Sequence, residues 1–302
     1  MHLPWRLLAP WHWPTWLGLG LLRVCEKLPY PALVRVGRAL GSLARHVGPA
    51  FVRVARKNIA LCLPEIPAAE RERLIDRHFQ ALGMTLMESG MTWWSSDARI
   101  RSLCQVEGLE HVEKVLAEKR GVIIVTAHFT TTEMSARAVN THLSVNVMYR
   151  PFKNAVLTYM TVRGRARLAR RAIARDDVRT MIKALRAGEV VWYAPDQSYR
   201  NKGAEMVPFF GIPAATNVAT SRIARLAGAA VLPMAHERLP GARGYRIVIG
   251  PPLAGVPSED GVRDTLQFHH YVEDWVRRVP AQYWWIHRRF KGLDASYPDY
   301  YA

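Results

Sequence analysis

The chain has 302 residues, enough for one large α/β domain with a well-buried core or for two small ones. Lys and Arg number 42 against 25 Asp and Glu, a formal net charge of +17, and that excess calls for an acidic partner: anionic lipid, phosphate, nucleic acid or an acidic protein. The three cysteines, Cys25, Cys62 and Cys104, form no Cys-x-x-Cys, so neither a disulfide framework nor a thiolate zinc site is supported and a reducing compartment fits.

The N-terminus comes first. From Leu7 to Leu22 there are 16 residues without Asp, Glu, Lys or Arg, and Trp5, Trp11, Trp13 and Trp16 crowd this end. A full membrane span needs about 20 apolar residues. Pro10, His12 and Pro14 weaken the run, while the tryptophans suit a membrane interface. A cleaved signal peptide does not fit, because Arg23, Glu26 and Lys27 follow without a small-residue cleavage site. The expectation is a membrane anchor over residues 1–28, spanning or lying on the bilayer, with residues 29–302 as the main domain. Arg35, Arg38, Arg45, Arg53, Arg56 and Lys57 then place that domain on the cytoplasmic side. The competing reading is an amphipathic helix buried in a soluble domain.

Further elements follow from periodicity and punctuation. Helices are expected at 30–50 and at 68–90, the second with Gly90 as its stop and Met84, Met87 and Met91 in the core. From Val106 the pattern alternates: helix 109–119, strand 122–127, helix 132–140, strand 144–149 and a long helix 154–171. A helix capped by Asp176 or Asp177 ends at Gly188, and strand 189–194 follows. Helix 217–226, strands 229–234 and 245–249, and a closing helix 261–279 complete the chain. This alternation predicts an α/β fold with a mixed, largely parallel sheet flanked by helices.

In such sheets ligands gather beyond the carboxyl ends of the strands. Three chemically loaded stretches fall there: His128, Tyr149-Arg150-Pro151 and Pro195-Asp196-Gln197. His128 opens a turn of threonines, Thr130 to Thr132, one of which is expected to cap the next helix, with Glu133 in its first turn. From there Glu133 can bend back to one imidazole nitrogen and leave the other as a base. Arg163, Arg165, Arg167, Arg170, Arg171 and Arg175 crowd one helix end, with 163, 167 and 170 or 171 on a common face and Arg165 pointing elsewhere. An inward arginine would hold phosphate or carboxylate. Gln282 through Lys291 mixes aromatic and basic side chains, as an anionic lipid interface would. No recognised nucleic-acid motif is present.

The ordered set of these stretches resembles the late acyltransferases of lipid A biosynthesis in Gram-negative bacteria, lauroyltransferase type. The likeness runs through Thr15–Gly20, Arg56–Cys62, His128–Glu133, Tyr149–Pro151, Arg163–Arg165, Ala194–Gln197, Val207–Gly211 and Gln282–Lys291. The resemblance implies a glycerolipid-acyltransferase-like fold and transfer of a fatty acyl group from acyl carrier protein to a hydroxyl of the Kdo-bearing lipid A precursor, at the inner membrane. It makes His128 the base and Glu133 its orienting carboxylate, with Arg150, Arg165 and Asp196 as substrate-binding positions, and it requires neither a metal nor a cofactor. Where the wider family often has Gly-Asn-Trp between the His and the acid, this chain has Phe129–Thr132 at the same spacing. Three other readings compete: a glycerolipid acyltransferase using acyl-CoA, a membrane-bound binding protein with a dead acyltransferase fold, and a basic nucleic-acid binder, for which only the charge speaks.

Overall fold

The computed structural model describes residues 3–149, 152–168 and 170–302, with the side chains of 165–168 left aside. Its helices are α1 (Trp13–Cys25), α2 (Tyr30–Val47), α3 (Pro49–Cys62), α4 (Ala68–Trp94), α5 (Asp97–Leu103), α6 (Leu109–Ala117), α7 (Thr132–Val139), α8 (Ala155–Leu168), α9 (Val178–Arg186), α10 (Ala219–Ala227) and α11 (Gly261–Arg278). Strands are β1 (Cys104–Glu107), β2 (Val122–Val125), β3 (Val145–Tyr149), β4 (Arg171–Ala174), β5 (Val190–Tyr193), β6 (Ala204–Phe209), β7 (Ile212–Asn217), β8 (Ala230–Arg238) and β9 (Tyr245–Ile249).

Seven strands form one sheet in the order β1-β9-β8-β2-β5-β3-β4, and only the β8–β9 pair is antiparallel. The mixed, largely parallel α/β sheet is therefore as the alternation predicts. All four residues of β2 are buried because helices cover both faces. Ile123 and Val125 point into one core with α3, α9, α10 and α11, whereas Val122 and Ile124 point into the other with α2, α5, α6 and α7. The long α4 serves both: Leu74, Ile75 and Phe79 enter the first core, and Met84, Met87 and Met91 the second.

Several boundaries differ from expectation for identifiable reasons. The expected helix 30–50 breaks at Gly48, whose φ/ψ of −116°/54° is non-helical, since a residue before proline avoids the α region. Pro49 then starts α3 at a position where its missing N–H costs nothing. Gly90 is no stop. A Cβ there would lie 2.9 Å from Leu22 Cγ, so it is a point of close approach between α4 and α1. The expected helix 154–171 ends at Leu168, and Arg171 opens the edge strand β4 beside β3. Arg170 and Arg171 therefore do not share a helical face with Arg163.

The β6–β7 hairpin was not expected. It turns through Phe210 (φ 51°) and Gly211 (φ 72°), both left-handed, as a two-residue hairpin loop requires. Phe210 is held in that region by its N–H donating to Glu273 Oε1 at 2.7 Å and by Arg277 above its ring.

No helix among the described residues is long and apolar enough to cross a membrane. The 13 residues of α1 rise about 20 Å, against a hydrocarbon core of about 30 Å. The spanning form of the expected anchor is thereby corrected. Leu19 and Leu22 of α1 are buried in the protein, while Trp13, Leu17, Leu21 and Val24 are exposed.

Candidate functional site

Strands β2 and β5 are parallel neighbours, so the loops leaving their carboxyl ends emerge side by side. The first carries His128 and the second Asp196. The Asp196 carboxylate grips the histidine twice: Oδ2 accepts the His128 backbone N–H at 2.9 Å, and Oδ1 lies 2.5 Å from Nδ1. Asp196 is buried, whereas the His128 side chain is 31% exposed. Burial works against the His128 cation, but the charge and hydrogen bond of Asp196, joined by the charge of Glu133, raise its pKa above the usual 6.5. Burial likewise opposes ionisation of Asp196, and the histidine's charge and hydrogen bonds overcome it, holding the carboxyl at about 2.

The carboxylate on Nδ1 is Asp196's, where the expected partner was Glu133. Glu133 lies in the first turn of α7, close enough for its charge to act on the imidazole. The threonines between them tie the turn down. Thr132 Oγ1 accepts the Phe129 N–H at 2.8 Å and donates to the Phe129 carbonyl at 2.7 Å. The Thr130 carbonyl accepts from Thr85 Oγ1 of α4 at 2.8 Å, and Thr131 Oγ1 meets His236 Nδ1 at 2.8 Å. Thr131 stands at the N-cap, but its hydroxyl makes no capping bond. Burial, aided by the nearby His128 charge and opposed by Asp196, drives His236 down to about 3, so it stays neutral.

Residues 282–291 are the largest surprise. Instead of a lipid-facing surface they form a buried strut through the site: Tyr283, Trp285, Arg289 and Phe290 are all buried. The strut pairs with the histidine loop, with Thr130 N–H donating to the Gln282 carbonyl at 2.7 Å and Trp284 N–H to the His128 carbonyl at 3.0 Å. Tyr283 hydroxyl donates to Asp196 Oδ2 at 3.3 Å. His287 Nε2 accepts the Ser198 N–H at 2.9 Å, holding the aspartate loop; burial keeps this imidazole at about 4 and hence neutral. The Arg289 guanidinium donates to the Ala215 carbonyl at 3.0 Å and to Thr216 Oγ1 at 2.8 Å, and its charge also favours ionised Asp196. Asn58 of α3 donates to the carbonyls of Trp285 and His287 at 2.6 and 2.7 Å. Asn58, Tyr283, His287 and Arg289 were thus missed as individual site residues. The signal was present in the Arg56–Cys62 and Gln282–Lys291 stretches, but a local pattern does not say which way aromatic and basic groups face.

A pocket of about 280 Å3, mouth included, opens beside His128 and is walled by Cys62, Phe209, Tyr283, Trp284, Trp285 and Phe290 among others. Asn58, Gln197, His287 and Arg289 line it as well, so the wall is half aromatic and half polar. Among the described residues no group of His, Cys, Asp and Glu could hold a metal ion. Arg150 lies outside the described residues. Arg165 lies in α8, and its side chain is likewise outside them. Of the other arginines, Arg163 donates to Tyr159 hydroxyl at 2.8 Å, and Arg170 pairs with Glu189 at 3.0 Å.

One family model and three relatives bear on identity. The family model for bacterial lipid A biosynthesis acyltransferases matches residues 1–292. The chain is 38% identical over 296 residues to the lipid A biosynthesis lauroyltransferase of Escherichia coli K12, covering 98% of this chain and 97% of the relative. It is 39% identical over 287 residues to that organism's lipid A biosynthesis palmitoleoyltransferase, covering 95% and 94% respectively. A lipid A biosynthesis acyltransferase of Haemophilus influenzae is 36% identical over 290 residues, covering 95% and 93%. A family match over residues 1–292, with a paired histidine and carboxylate beside a pocket, makes this protein an acyltransferase of the bacterial lipid A biosynthesis family.

Proposed function

We propose that the enzyme moves a fatty acyl chain of lauroyl or similar length from acyl carrier protein to a hydroxyl on a hydroxyacyl chain of the Kdo-bearing lipid A precursor. The observation carrying this reading is the His128–Asp196 pair at the carboxyl ends of two adjacent parallel strands. With Nδ1 engaged by Asp196, Nε2 is the nitrogen that takes the proton. The acceptor hydroxyl attacks the thioester carbonyl as its proton passes to Nε2. Collapse of the tetrahedral intermediate breaks the C–S bond, and the imidazolium returns the proton to the departing thiolate. Asp196 and Glu133, both negative, stabilise the imidazolium between these steps. Arg150 and Arg165 are proposed to bind the phosphorylated precursor, and helix-start amides or an arginine the developing oxyanion.

The same reading places the enzyme at the inner membrane with its catalytic unit, residues 29–302, on the cytoplasmic side and residues 1–28 in contact with lipid. Support comes from the exposed stripe Trp13, Leu17, Leu21 and Val24, spaced along one face of α1, with Trp5 and Trp11 exposed before it. A helix of this length lies in the interface. The exposed arginines Arg163, Arg170, Arg171 and Arg175 suit docking of an acidic carrier protein. The test is His128→Ala: kcat should fall by about 10²–10⁴-fold, the usual share of acid–base catalysis, with the fold intact. Activity within a few-fold of wild type would remove the assignment.

A further inference from the structure

Helices α2 and α3 carry an apolar stripe that no described residue covers. Helix α2 has three distinct sides. One is a glycine face locked onto α4, so close that a Cβ on Gly41 would lie 2.0 Å from the Phe79 carbonyl oxygen and one on Gly83 2.0 Å from that of Gly37. The second bears Leu40, Leu43 and Val47, three and four residues apart, which are 40%, 60% and 73% exposed. The third bears Arg35 and His46, both exposed, about 100° round the helix from the stripe. Beyond the break at Gly48, Phe51 of α3 is 55% exposed and its ring returns to the turn, 3.5 Å from where a Gly48 Cβ would stand. From Tyr30 to Cys62 the sequence has six Arg and Lys and no Asp or Glu.

We infer that this α2–α3 elbow is a second lipid contact, which seats Leu43, Val47 and Phe51 at the headgroup–acyl boundary of an anionic bilayer while Arg35 meets lipid phosphate. An exposed apolar stripe beside the exposed Arg35, on a segment whose own charges are all basic, matches an interface offering hydrocarbon and negative charge together. Glu72 and Asp76 of α4 pair with Arg45 and Arg56, but Arg35 and Arg53 remain exposed, and a two-fold contact would set these like charges against their copies. The inference rests on the membrane reading above and adds orientation to it. One helix lying on a bilayer lets the domain roll about that helix, whereas two contacts hold the catalytic face at a fixed tilt.

The test uses full-length protein diluted from detergent onto phosphatidylcholine vesicles with and without phosphatidylglycerol, followed by sedimentation. The triple variant Leu43→Ser, Val47→Ser, Phe51→Ser should keep the wild-type melting temperature and lose at least about tenfold in partition onto the anionic vesicles, a factor that partial burial of one or two large apolar side chains supplies. A parallel variant in α1, Leu17→Ser with Leu21→Ser, separates the two readings. If it lowers partition while the triple variant stays within about twofold of wild type, α1 holds the membrane and the elbow is not a lipid contact. If neither lowers it, both readings fall. A wild-type dimer in light scattering that the triple variant converts to monomer would assign the stripe to a second copy and overturn the inference.

Discussion

Residues 282–291 and the segment from α1 to Phe51 are both rich in apolar and basic side chains, yet they end in opposite environments. In the first, Tyr283, Trp285, Arg289 and Phe290 are buried, and hydrogen bonds from three directions hold the strut. In the second, Leu17, Leu21, Leu43, Val47 and Phe51 face outward. The difference lies in hydrogen-bonding partners. The Tyr283 hydroxyl meets the Asp196 carboxylate, His287 Nε2 a backbone amide, and the Arg289 guanidinium a carbonyl and a hydroxyl. Each partner comes from another element, which is the condition for burying such groups without a large desolvation cost. The stripes on α1, α2 and α3 are hydrocarbon, and no element of the described chain packs over them. Two regions of similar composition thus do different work: one fixes the His128–Asp196 pair, the other meets the surroundings.

The largest effects should come from breaking the fixed pair. Asp196→Asn keeps the size of the side chain but removes its charge and its hold on the imidazole tautomer, so kcat should fall by about 10²–10⁴-fold in steady-state assays. Glu133→Gln removes a charge that acts on the imidazole but leaves the Asp196 grip on Nδ1 in place, and should cost markedly less. The reverse ranking would restore Glu133 as the orienting carboxylate. The pair also sets a pH window for stability. Asp196, held at about 2 in the folded protein, contributes stability above its ordinary 3.8 that is lost as pH falls toward 2. His128, raised above 6.5, contributes stability below that value that is lost as pH rises through its folded pKa. Melting scans should therefore show Asp196→Asn losing most relative to wild type between these limits and least at either extreme.

An intermediate effect should follow from loosening the strut. Asn58→Ala removes donors to two buried carbonyls and should cost about 2–3 kcal/mol, lowering the melting temperature by several degrees. The smallest effect on stability belongs to the outward stripe. Leu17→Ser with Leu21→Ser should shift stability by no more than about 0.5 kcal/mol per site, as surface changes do, while weakening membrane association. A loss comparable to that of Asn58→Ala would mean that the stripe is core after all, and the contrast between the regions would fail.

The sequence made the α/β alternation legible because parallel strands buried on both faces read as short apolar runs, as Val122–Val125 and Val190–Tyr193 do. It also made His128 and Asp196 legible as separate strand-end residues. Their pairing was not, because it depends on β2 and β5 being neighbours although 64 residues separate Val125 from Val190. Glu133, five residues on and in the first turn of the next helix, took the role from its spacing and from the family resemblance. Gly90 misled for a related reason: a glycine that ends a helix and one that admits a neighbouring helix look the same locally. The short β4 and the β6–β7 hairpin were hidden, the first by a continuing helical pattern rich in arginine, the second by Phe210, a residue rarely found at positive φ.

The central claim is that His128 is a base whose proton affinity Asp196 sets, and the pH dependence of kcat/KM for wild type and Asp196→Asn tests it most directly. Wild-type kcat/KM should rise with pH and level off with a midpoint above 6.5, because the carboxylate must release its hold on the imidazolium before the base form appears. In Asp196→Asn the residual activity should level off at a lower pH, since burial now acts on the imidazolium with less to oppose it. A wild-type midpoint below 6.5, or one that stays in place when Asp196 loses its charge, would contradict the account.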